Sequence, residues 1–192
     1  MMGLVDRLWN GTRQQHCVAA SPDENAAGGL HGLPLAAHSV LLACHGSDGA
    51  MHAARSVIAS LAPGARLHQC IVVPEFWQHM SGDGWRINAS TEGLFCDYLE
   101  GQIERETLEV LERVHAMAAA RGIAYSASSC CGDPARTLIM ATEAGDYDLV
   151  VIGAPRPRGM RGLRSRMDVE ALMRGLQVPL FVVPYPRARP AP

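Results

Sequence analysis

Residues 131–153, CGDPARTLIMATEAGDYDLVVIG, carry the clearest indication of the fold. Its first half has the boundaries of a short helix, because Asp133 suits the N-cap, Pro134 suits the first helical position and Gly145 ends the helix. Its second half, YDLVVIG, is a short apolar run of the kind that forms a strand covered on both faces. A helix followed at once by a buried strand is the repeating unit of a parallel α/β sheet.

The same alternation extends in both directions along the chain. A helix capped by Ser47 or Asp48 and a short helix from Asp168 to about Arg174 are predicted. A longer helix is predicted over about 94–121, with Glu109 and Arg113 paired across one turn. The other strands are predicted at HSVLLAC (38–44), ARLHQCIVV (65–73), IAYSASSC (123–130) and VPLFVVP (178–184). The pattern predicts an α/β fold with a doubly wound, five-stranded parallel sheet and right-handed crossovers.

In such a sheet, ligands bind beyond the carboxyl ends of the strands. That edge holds His45 and Ser47, where the imidazole is a candidate general base. No acid, oxyanion site or G-x-S-x-G elbow accompanies them, so we do not expect an enzyme and keep a weak nucleotide hydrolase as the alternative. Cysteines of the first three strands also lie towards this edge, where we expect structural cysteines and keep a soft-metal or redox site as the alternative. They are Cys44, Cys70, Cys130 and Cys131.

The composition restricts the chemistry and the partners further. All seventeen basic residues are arginine, which excludes a P-loop lysine and a Schiff-base lysine. The net charge of −2 conceals a local charge of +6 over residues 153–192, which is too diffuse to predict nucleic-acid binding. The cysteines form no C-x-x-C pair, and no run approaches the roughly 18 apolar residues of a membrane helix. We expect a cytoplasmic protein without membrane insertion.

The composition also divides the chain. Residues 1–37 are predicted to be an amino-terminal arm and linker, residues 38–185 the domain, and residues 186–192 a tail. An apolar helical face in the arm indicates either a frayed terminus or a docking peptide; it consists of Leu4, Val5, Leu8 and Trp9. Aromatic residues after the second strand indicate either a lid or partner surface, or local packing; they are Trp77, Trp85 and Phe95.

Three segments resemble the universal stress protein family. Residues 39–73 are similar to its first strand, turn, helix and second strand, and residues 131–153 to its G-D-P-x-x-x-I helix and D-L-V-V-x-G strand. LMRGLQVPLFVVP (172–184) is similar to its last helix and closing strand. The resemblance implies an adenine nucleotide alpha hydrolase-like sheet of order 3-2-1-4-5 and a regulatory role in stress response through protein partners. It also implies a homodimer through the fifth strand, Pro179 to Val183, where an exposed apolar edge favours pairing.

Family members that bind ATP carry G-x-x-G, nine residues and then G-[ST] after the fourth strand. This chain aligns there without a gap, but only Gly153 matches, because Arg156 replaces the second glycine and Arg166 with Met167 replaces G-[ST]. His45 takes the place of the aspartate that would hold ribose and base, whereas Val72 matches the adenine-side residue. The resemblance implies a candidate cofactor pocket formed by His45, Ser47, Val72, Gly153, Arg156 and Arg166.

The departures remove what a phosphate loop needs. Pro155 and Pro157 have no N–H to donate, and Arg156 adds a side chain where glycine would let a phosphate approach the backbone. Met167 lacks a hydroxyl, and Asp168 adds a negative charge. We therefore expect no cofactor held in the family manner, with ATP or AMP as the alternative. The segment 153–167, here called the arginine loop, carries five arginines. They form a solvated basic loop, or pair with acidic surface such as Glu100, Glu104 and Glu106, or bind a nucleotide or another anion through their side chains.

Overall fold

The computed structural model describes residues 37–73, 89–160 and 167–186. Strands and helices alternate throughout these ranges. The strands are β1 (Ser39–Ala43), β2 (Arg66–Val73), β3 (Ala124–Cys131), β4 (Leu149–Gly153) and β5 (Leu180–Val183). The helices are α1 (Asp48–Ser60), α2 (Ala89–Ala119), α3 (Pro134–Ala144) and α4 (Val169–Gly175).

The strands form one sheet of order β3-β2-β1-β4-β5, in which every neighbouring pair is parallel. This confirms the predicted α/β fold and the 3-2-1-4-5 order. The chain reverses its direction of travel across the sheet between β1 and β4, so their carboxyl ends form the switch point at which ligands bind in such folds.

Both faces of the central strands are buried, which explains why their sequences are continuous apolar runs. Because successive side chains of a strand alternate between faces, Val40 and Leu42 of β1 face α1 and α2, whereas Leu41 faces α3 and α4. Each of these three side chains has 0% of its surface exposed. The sheet thus has two apolar layers, one on each side.

Local capping explains where three helices begin. The side chain of Ser47 accepts from the Ala50 N–H, that of Asp133 from the Arg136 N–H, and that of Asp168 from the Ala171 N–H. Pro134 occupies the first position of α3 and Gly145 its C-cap, as predicted. These contacts satisfy backbone donors that have no partner within the helix.

The longest helix differs in two respects from the prediction. It begins at Ala89, whereas the apolar periodicity predicts a start at about residue 94. The first five residues of the helix, ASTEG, lie ahead of that periodicity. Arg113 donates from Nε to the backbone carbonyl of Glu109 at 3.2 Å rather than pairing with its carboxylate. Val110 and Val114 are buried as predicted, with Leu111 and Met117 packed beside them.

Some predictions fall outside the described residues. They concern the arm from residue 1 to 36, the segment with Trp77 and Trp85, the side chains of Phe95 and Ile103, Arg166 in the arginine loop, and residues 187–192. Within the described ranges, no helix is long and apolar enough to cross a membrane.

The start of β1 is joined to the start of β4 by one exposed carboxylate. Oδ2 of Asp148 accepts from the backbone N–H groups of His38 and Ser39 at 2.7 and 2.8 Å. The Asp148 N–H donates in turn to the Ser39 carbonyl at 2.8 Å. The two N–H donors lower the pKa of the Asp148 carboxyl below its ordinary value of 3.8, because they stabilise its charged form.

This lowered pKa predicts a pH-dependent contribution to stability. Since the folded state depresses the pKa, the contribution is complete above 3.8 and is lost as the pH falls through the lowered value. We expect Asp148→Asn to have a lower free energy of unfolding than the wild type at neutral pH, and the difference to shrink in acid. Denaturant unfolding at several pH values measures it, with Asp146→Asn as the control. A difference that does not change with pH would contradict this account.

Candidate functional site

A small pocket opens at the carboxyl ends of β1 and β4, the edge at which the sequence predicts ligand binding. Its volume is about 60 Å³. Ligand sites usually occupy about 300–1,000 Å³, so this pocket is small for a nucleotide. The pocket is lined by Ala43, His45, Ser47, Ala50, Ile152, Gly153, Ala154, Pro155, Arg156, Met167 and Tyr185.

The turn between β1 and α1 forms one wall. Gly46 has a φ of +94°, and a Cβ there would lie 2.4 Å from Cγ2 of Val110 on α2. The position therefore requires glycine for its backbone conformation and for the close packing of α2. Ser47 follows as the N-cap of α1, so its hydroxyl oxygen is already an acceptor for the Ala50 N–H at 3.4 Å. The packing of Gly46 against Val110 and the cap formed by Ser47 together fix the conformation of this turn.

Gly153 lies where β4 meets the first turn of α1. A Cβ at this position would lie 2.4 Å from the carbonyl oxygen of Gly49 and 2.9 Å from the Ala50 nitrogen. No side chain can be accommodated at such distances without displacing the helix. Gly153, the one glycine of the G-x-x-G and G-[ST] pattern that this chain keeps, is thus required for packing, whatever the pocket binds.

The opposite wall is the segment that follows β4. Its path is set where the Ala154 N–H donates to the Val183 carbonyl at 2.7 Å. Pro155 then contributes no N–H, and the half-buried Arg156 side chain lines the pocket. Met167, also half-buried, lies against the core between the sheet and the helices α3 and α4. This wall presents side chains to the pocket rather than a row of backbone donors.

The start of α4 is already capped by an acidic side chain. Oδ1 of Asp168 accepts from the Ala171 N–H at 3.0 Å. The carboxylate complements the positive end of the helix dipole, which is the role an incoming phosphate would otherwise take. Asp168 therefore competes with any anion at this point, as the sequence predicts.

His45 is exposed at the mouth of the pocket. Partial desolvation by the surrounding protein nevertheless lowers the pKa of its imidazole below the ordinary value of 6.5. The ring is consequently neutral at neutral pH. It supplies neither the carboxylate that would accept hydrogen bonds from a ribose nor a second positive charge for a phosphate.

The structure brings together four of the six predicted site residues: His45, Ser47, Gly153 and Arg156 line the pocket. Val72 lies away from it, on β2, where it packs against the core beside α3 and α4. Arg166 lies outside the described residues.

Sequence reasoning missed Tyr185. Its ring would be 3.0 Å from a Cβ on Gly49, and its hydroxyl donates to Oδ2 of Asp48 at 3.4 Å. The available signal was its position just after the last strand, which brings it to the same edge of the sheet as His45.

A buried polar network holds the pocket turn from below. Gln69, which has 0% of its surface exposed, donates from Nε2 to the Cys44 carbonyl at 2.8 Å. The Tyr125 hydroxyl donates to Oε1 of Gln69 at 2.8 Å and approaches the Leu111 carbonyl at 3.4 Å. Through these bonds β1, β2, β3 and α2 fix the residue that precedes His45.

Two of the cysteines near this edge, Cys44 and Cys70, are part of the packing. The Cys44 thiol donates to Sδ of Met51 at 3.7 Å, which ties β1 to α1. Burial raises the pKa of Cys44 and of Cys70 to about 11, so both thiols are protonated at neutral pH. The described residues contain no group of three or more His, Cys, Asp or Glu side chains arranged to hold a metal ion.

Comparison with known proteins identifies a family. A family model described as the universal stress protein family matches residues 37–184. Among curated proteins, no sequence matches. Several solved structures share the fold, at identities that show likeness of fold alone.

The hypothetical protein MJ0577 has a TM-score of 0.58 at 16% identity, over 78% of this chain and 97% of its own. A universal stress protein family member from Burkholderia pseudomallei has a TM-score of 0.54 at 23% identity, over 77% and 96%. A family protein from Arabidopsis thaliana with AMP bound has a TM-score of 0.53 at 13% identity, over 77% and 92%.

The packing at Gly153 predicts that Gly153→Ala destabilises the protein in the absence of any ligand. The added methyl group has to displace the first turn of α1, and overpacking of this kind costs about 1–3 kcal/mol. Denaturant unfolding of the wild type and the variant measures the difference. An unchanged free energy of unfolding would show that the contact with Gly49 is not a constraint.

The buried network predicts that Tyr125→Phe lowers stability by about 1–3 kcal/mol, because it leaves a buried amide oxygen without its donor. The phenyl ring keeps its stacking on His115, so the substitution removes only the hydroxyl. NMR resonances of His45 are expected to shift as the turn loosens. Tyr147→Phe, on the other face of the sheet, is the control; equal effects of the two substitutions would contradict the role of the network.

Proposed function

The chain belongs to the universal stress protein family, and from this premise we propose that it is a regulatory binding protein that does not hold ATP in the family manner. It acts in stress response through dimerisation and protein partners, and it works in the cytoplasm. The observation that carries the proposal is the wall of the pocket from Ala154 to Arg156 together with the capped start of α4.

A triphosphate bound on a glycine loop is held by main-chain N–H groups at close range. Here Pro155 has no N–H, Arg156 projects a side chain into the pocket, and Asp168 already accepts from the Ala171 N–H. A phosphate at the start of α4 would have to displace the Asp168 carboxylate from the Ala171 N–H. It would then lie next to the negative charge of that carboxylate. These features oppose the backbone mode of binding, even though the loop keeps the length of the family pattern.

The other side of the pocket gives a nucleotide little more. A neutral His45 cannot accept from two ribose hydroxyls as a carboxylate does. The volume of about 60 Å³ holds no adenosine without rearrangement. The Arabidopsis relative with AMP bound shows that the fold accommodates such a ligand in another sequence, and its identity to this chain is too low to transfer the ligand.

A second candidate function is a sensor of a nucleotide or another anion that is bound through arginine side chains. The observation that favours it is the half-buried Arg156 in the pocket lining. A guanidinium group binds phosphate or carboxylate through paired hydrogen bonds. In this mode the loss of backbone donors would not prevent binding, and the ligand would lie in a different pose.

The proposal is non-enzymatic. His45 is the general base that the pocket offers, and the nearby Asp48 side chain accepts from the Tyr185 hydroxyl at 3.4 Å. His45 and Asp48 therefore do not form the pair of acid and base that hydrolysis of a nucleotide requires.

A homodimer through the fifth strand is part of the proposal. In the described sheet β5 is the terminal strand beside β4, and its residues Leu180, Phe181 and Val182 keep part of their apolar surface exposed. Antiparallel pairing of two such edges around a two-fold axis closes the edge of both sheets.

A titration with ATP, AMP and polyphosphate tests the account of the loop. We expect no micromolar binding of ATP by calorimetry. A variant that restores the family pattern, Arg156→Gly with Arg166→Gly and Met167→Ser, is expected to gain affinity because it returns the backbone approach and the hydroxyl.

The double variant Arg156→Ala, Arg166→Ala separates the two candidate functions. Micromolar ATP binding in the wild type that survives this variant would contradict the loss of the backbone cradle. Binding that is present in the wild type and disappears in the variant would favour the arginine-based sensor.

A further inference from the structure

A histidine and two serines form a cluster on the sheet, away from the pocket. His68 is on β2, and Ser126 and Ser128 are on the neighbouring strand β3. Nδ1 of His68 lies 2.8 Å from Oγ of Ser126, and Nε2 lies 2.9 Å from Oγ of Ser128. Both nitrogens of the imidazole ring are therefore hydrogen-bonded to hydroxyl groups.

The cluster lies beside the apolar layer that α3 and α4 cover. His68 pairs in register with Leu41, whose side chain faces that layer, so the three polar side chains face the same side of the sheet. At these positions β3, the terminal strand of the described sheet, presents serine. Ser126 is exposed, whereas His68 and Ser128 are half-buried. A molecule in solution thus reaches the hydroxyl of Ser126 directly.

The two serines have opposite roles toward the ring. A neutral imidazole has one N–H donor and one acceptor nitrogen, so one hydroxyl donates to the ring and the other accepts from it. Ser128 also hydrogen-bonds the Cys70 thiol, which holds its hydroxyl beside the ring. When the Nε2–H of His68 donates to Ser128, the O–H of Ser126 is directed at the lone pair of Nδ1. That arrangement pairs a nucleophile with an oriented base.

The surroundings keep His68 uncharged. Partial burial lowers the pKa of its imidazole below the ordinary value of 6.5. On the same face, burial raises the pKa values of the Cys70 thiol and of the Tyr147 hydroxyl, whose ring lies 6.0 Å from that of His68, so neither group is charged at neutral pH. Arg66 is a cation and does not favour a second positive charge. A neutral imidazole at neutral pH is what a general base requires.

A backbone donor accompanies the exposed serine. The Ala124 N–H donates to the Ala65 carbonyl, across to the β2 side of the strand, at 2.9 Å. Because successive N–H groups of a strand point to opposite sides, the Ala127 N–H points away from β2, at the edge where the described sheet ends. This N–H directly follows Ser126. It is therefore placed to donate to an oxygen that becomes negative while the serine attacks a carbonyl group.

We propose that Ser126 is a nucleophile that accepts an acyl group from activated esters, with His68 as its general base and Ser128 as the residue that positions the ring. Oγ of Ser126 bonds to the carbonyl carbon while its proton passes to Nδ1 of His68. The bond to the leaving group then breaks, and the departing oxygen takes that proton. The products are an acyl ester on Ser126 and a free alcohol. This modification site goes beyond the proposed binding function and uses none of the pocket residues.

Acetylation by p-nitrophenyl acetate tests the nucleophile, because release of the leaving group is followed by absorbance. We expect the full-length protein to release a burst of about one equivalent per chain, with the acetyl group located on Ser126 by peptide mapping. Ser126→Ala is expected to lose this acetylation. Ser129→Ala is the matched control, since Ser129 is half-exposed on the same strand but faces the other side of the sheet. It is expected to react as the wild type does.

Variants of the other two residues test the base and its positioning. His68→Gln is expected to slow acetylation of Ser126 by about a hundredfold or more, the range of general-base catalysis. Ser128→Ala is expected to slow it less, and Ser128→Thr, which keeps the hydroxyl, to retain the wild-type rate. Circular dichroism confirms that the variants are folded. In the wild type the rate is expected to be constant around neutral pH and to fall in acid with a midpoint below 6.5, as the imidazole takes up a proton.

Two outcomes would overturn the inference. A burst of equal size in Ser126→Ala, with acetyl groups mapped only to other residues of the wild type, would show that the serine is not the nucleophile. Acetylation of Ser126 that is as fast in His68→Gln as in the wild type would show that the ring does not activate the hydroxyl. Neither result bears on the arginine loop or on the proposed binding function.

Discussion

The close approach of Gly153 to the first turn of α1 is the constraint on which the site depends. A Cβ on Gly153 would lie 2.4 Å from the carbonyl oxygen of Gly49, so the backbones of β4 and α1 are in direct contact at the switch point of the sheet. The pocket beside them is correspondingly narrow. Since packing against α1 requires glycine at position 153, Gly153 is present although Arg156, Arg166 and Met167 replace the other residues of the G-x-x-G and G-[ST] pattern.

Gly153 is needed for packing whether or not a phosphate binds, so the fold can keep its structure with arginines in the loop that follows β4. The loop leaves β4 on a fixed path, since the Ala154 N–H is bonded to the Val183 carbonyl, and the chain re-enters a helix that Asp168 caps by itself. Neither end of the loop needs a phosphate to be stable. Pro155 and Arg156, which follow Ala154, can therefore stand where a backbone phosphate loop would need an N–H donor and a glycine.

The sequence predicted what is determined locally. The helix at Pro134 is specified by Asp133, Pro134 and Gly145, which lie within the segment itself, and the structure shows the same cap and end. The apolar runs predicted the strands because both faces of the central strands are buried. The order of the strands, which local patterns do not fix, came from the resemblance to a family.

Contacts made across the fold were not predictable in the same way. Gln69 lies in an apolar run, and its partner Tyr125 is 56 residues away along the chain, so their bond appears only after β2 and β3 pair. Tyr185 reaches the pocket because β5 ends at the same edge as β1. Val72 was expected in the pocket, but it packs against the core instead. The pocket lies between β1 and β4, whereas Val72 is on β2, which pairs with the other edge of β1.

A crystal structure grown with saturating ATP and Mg²⁺ tests most directly whether the loop has lost its backbone cradle. We expect no triphosphate along the peptide units from Gly153 to Arg158, with Asp168 still accepting from the Ala171 N–H. Density for phosphates lying on those peptide units and on the start of α4 would contradict it.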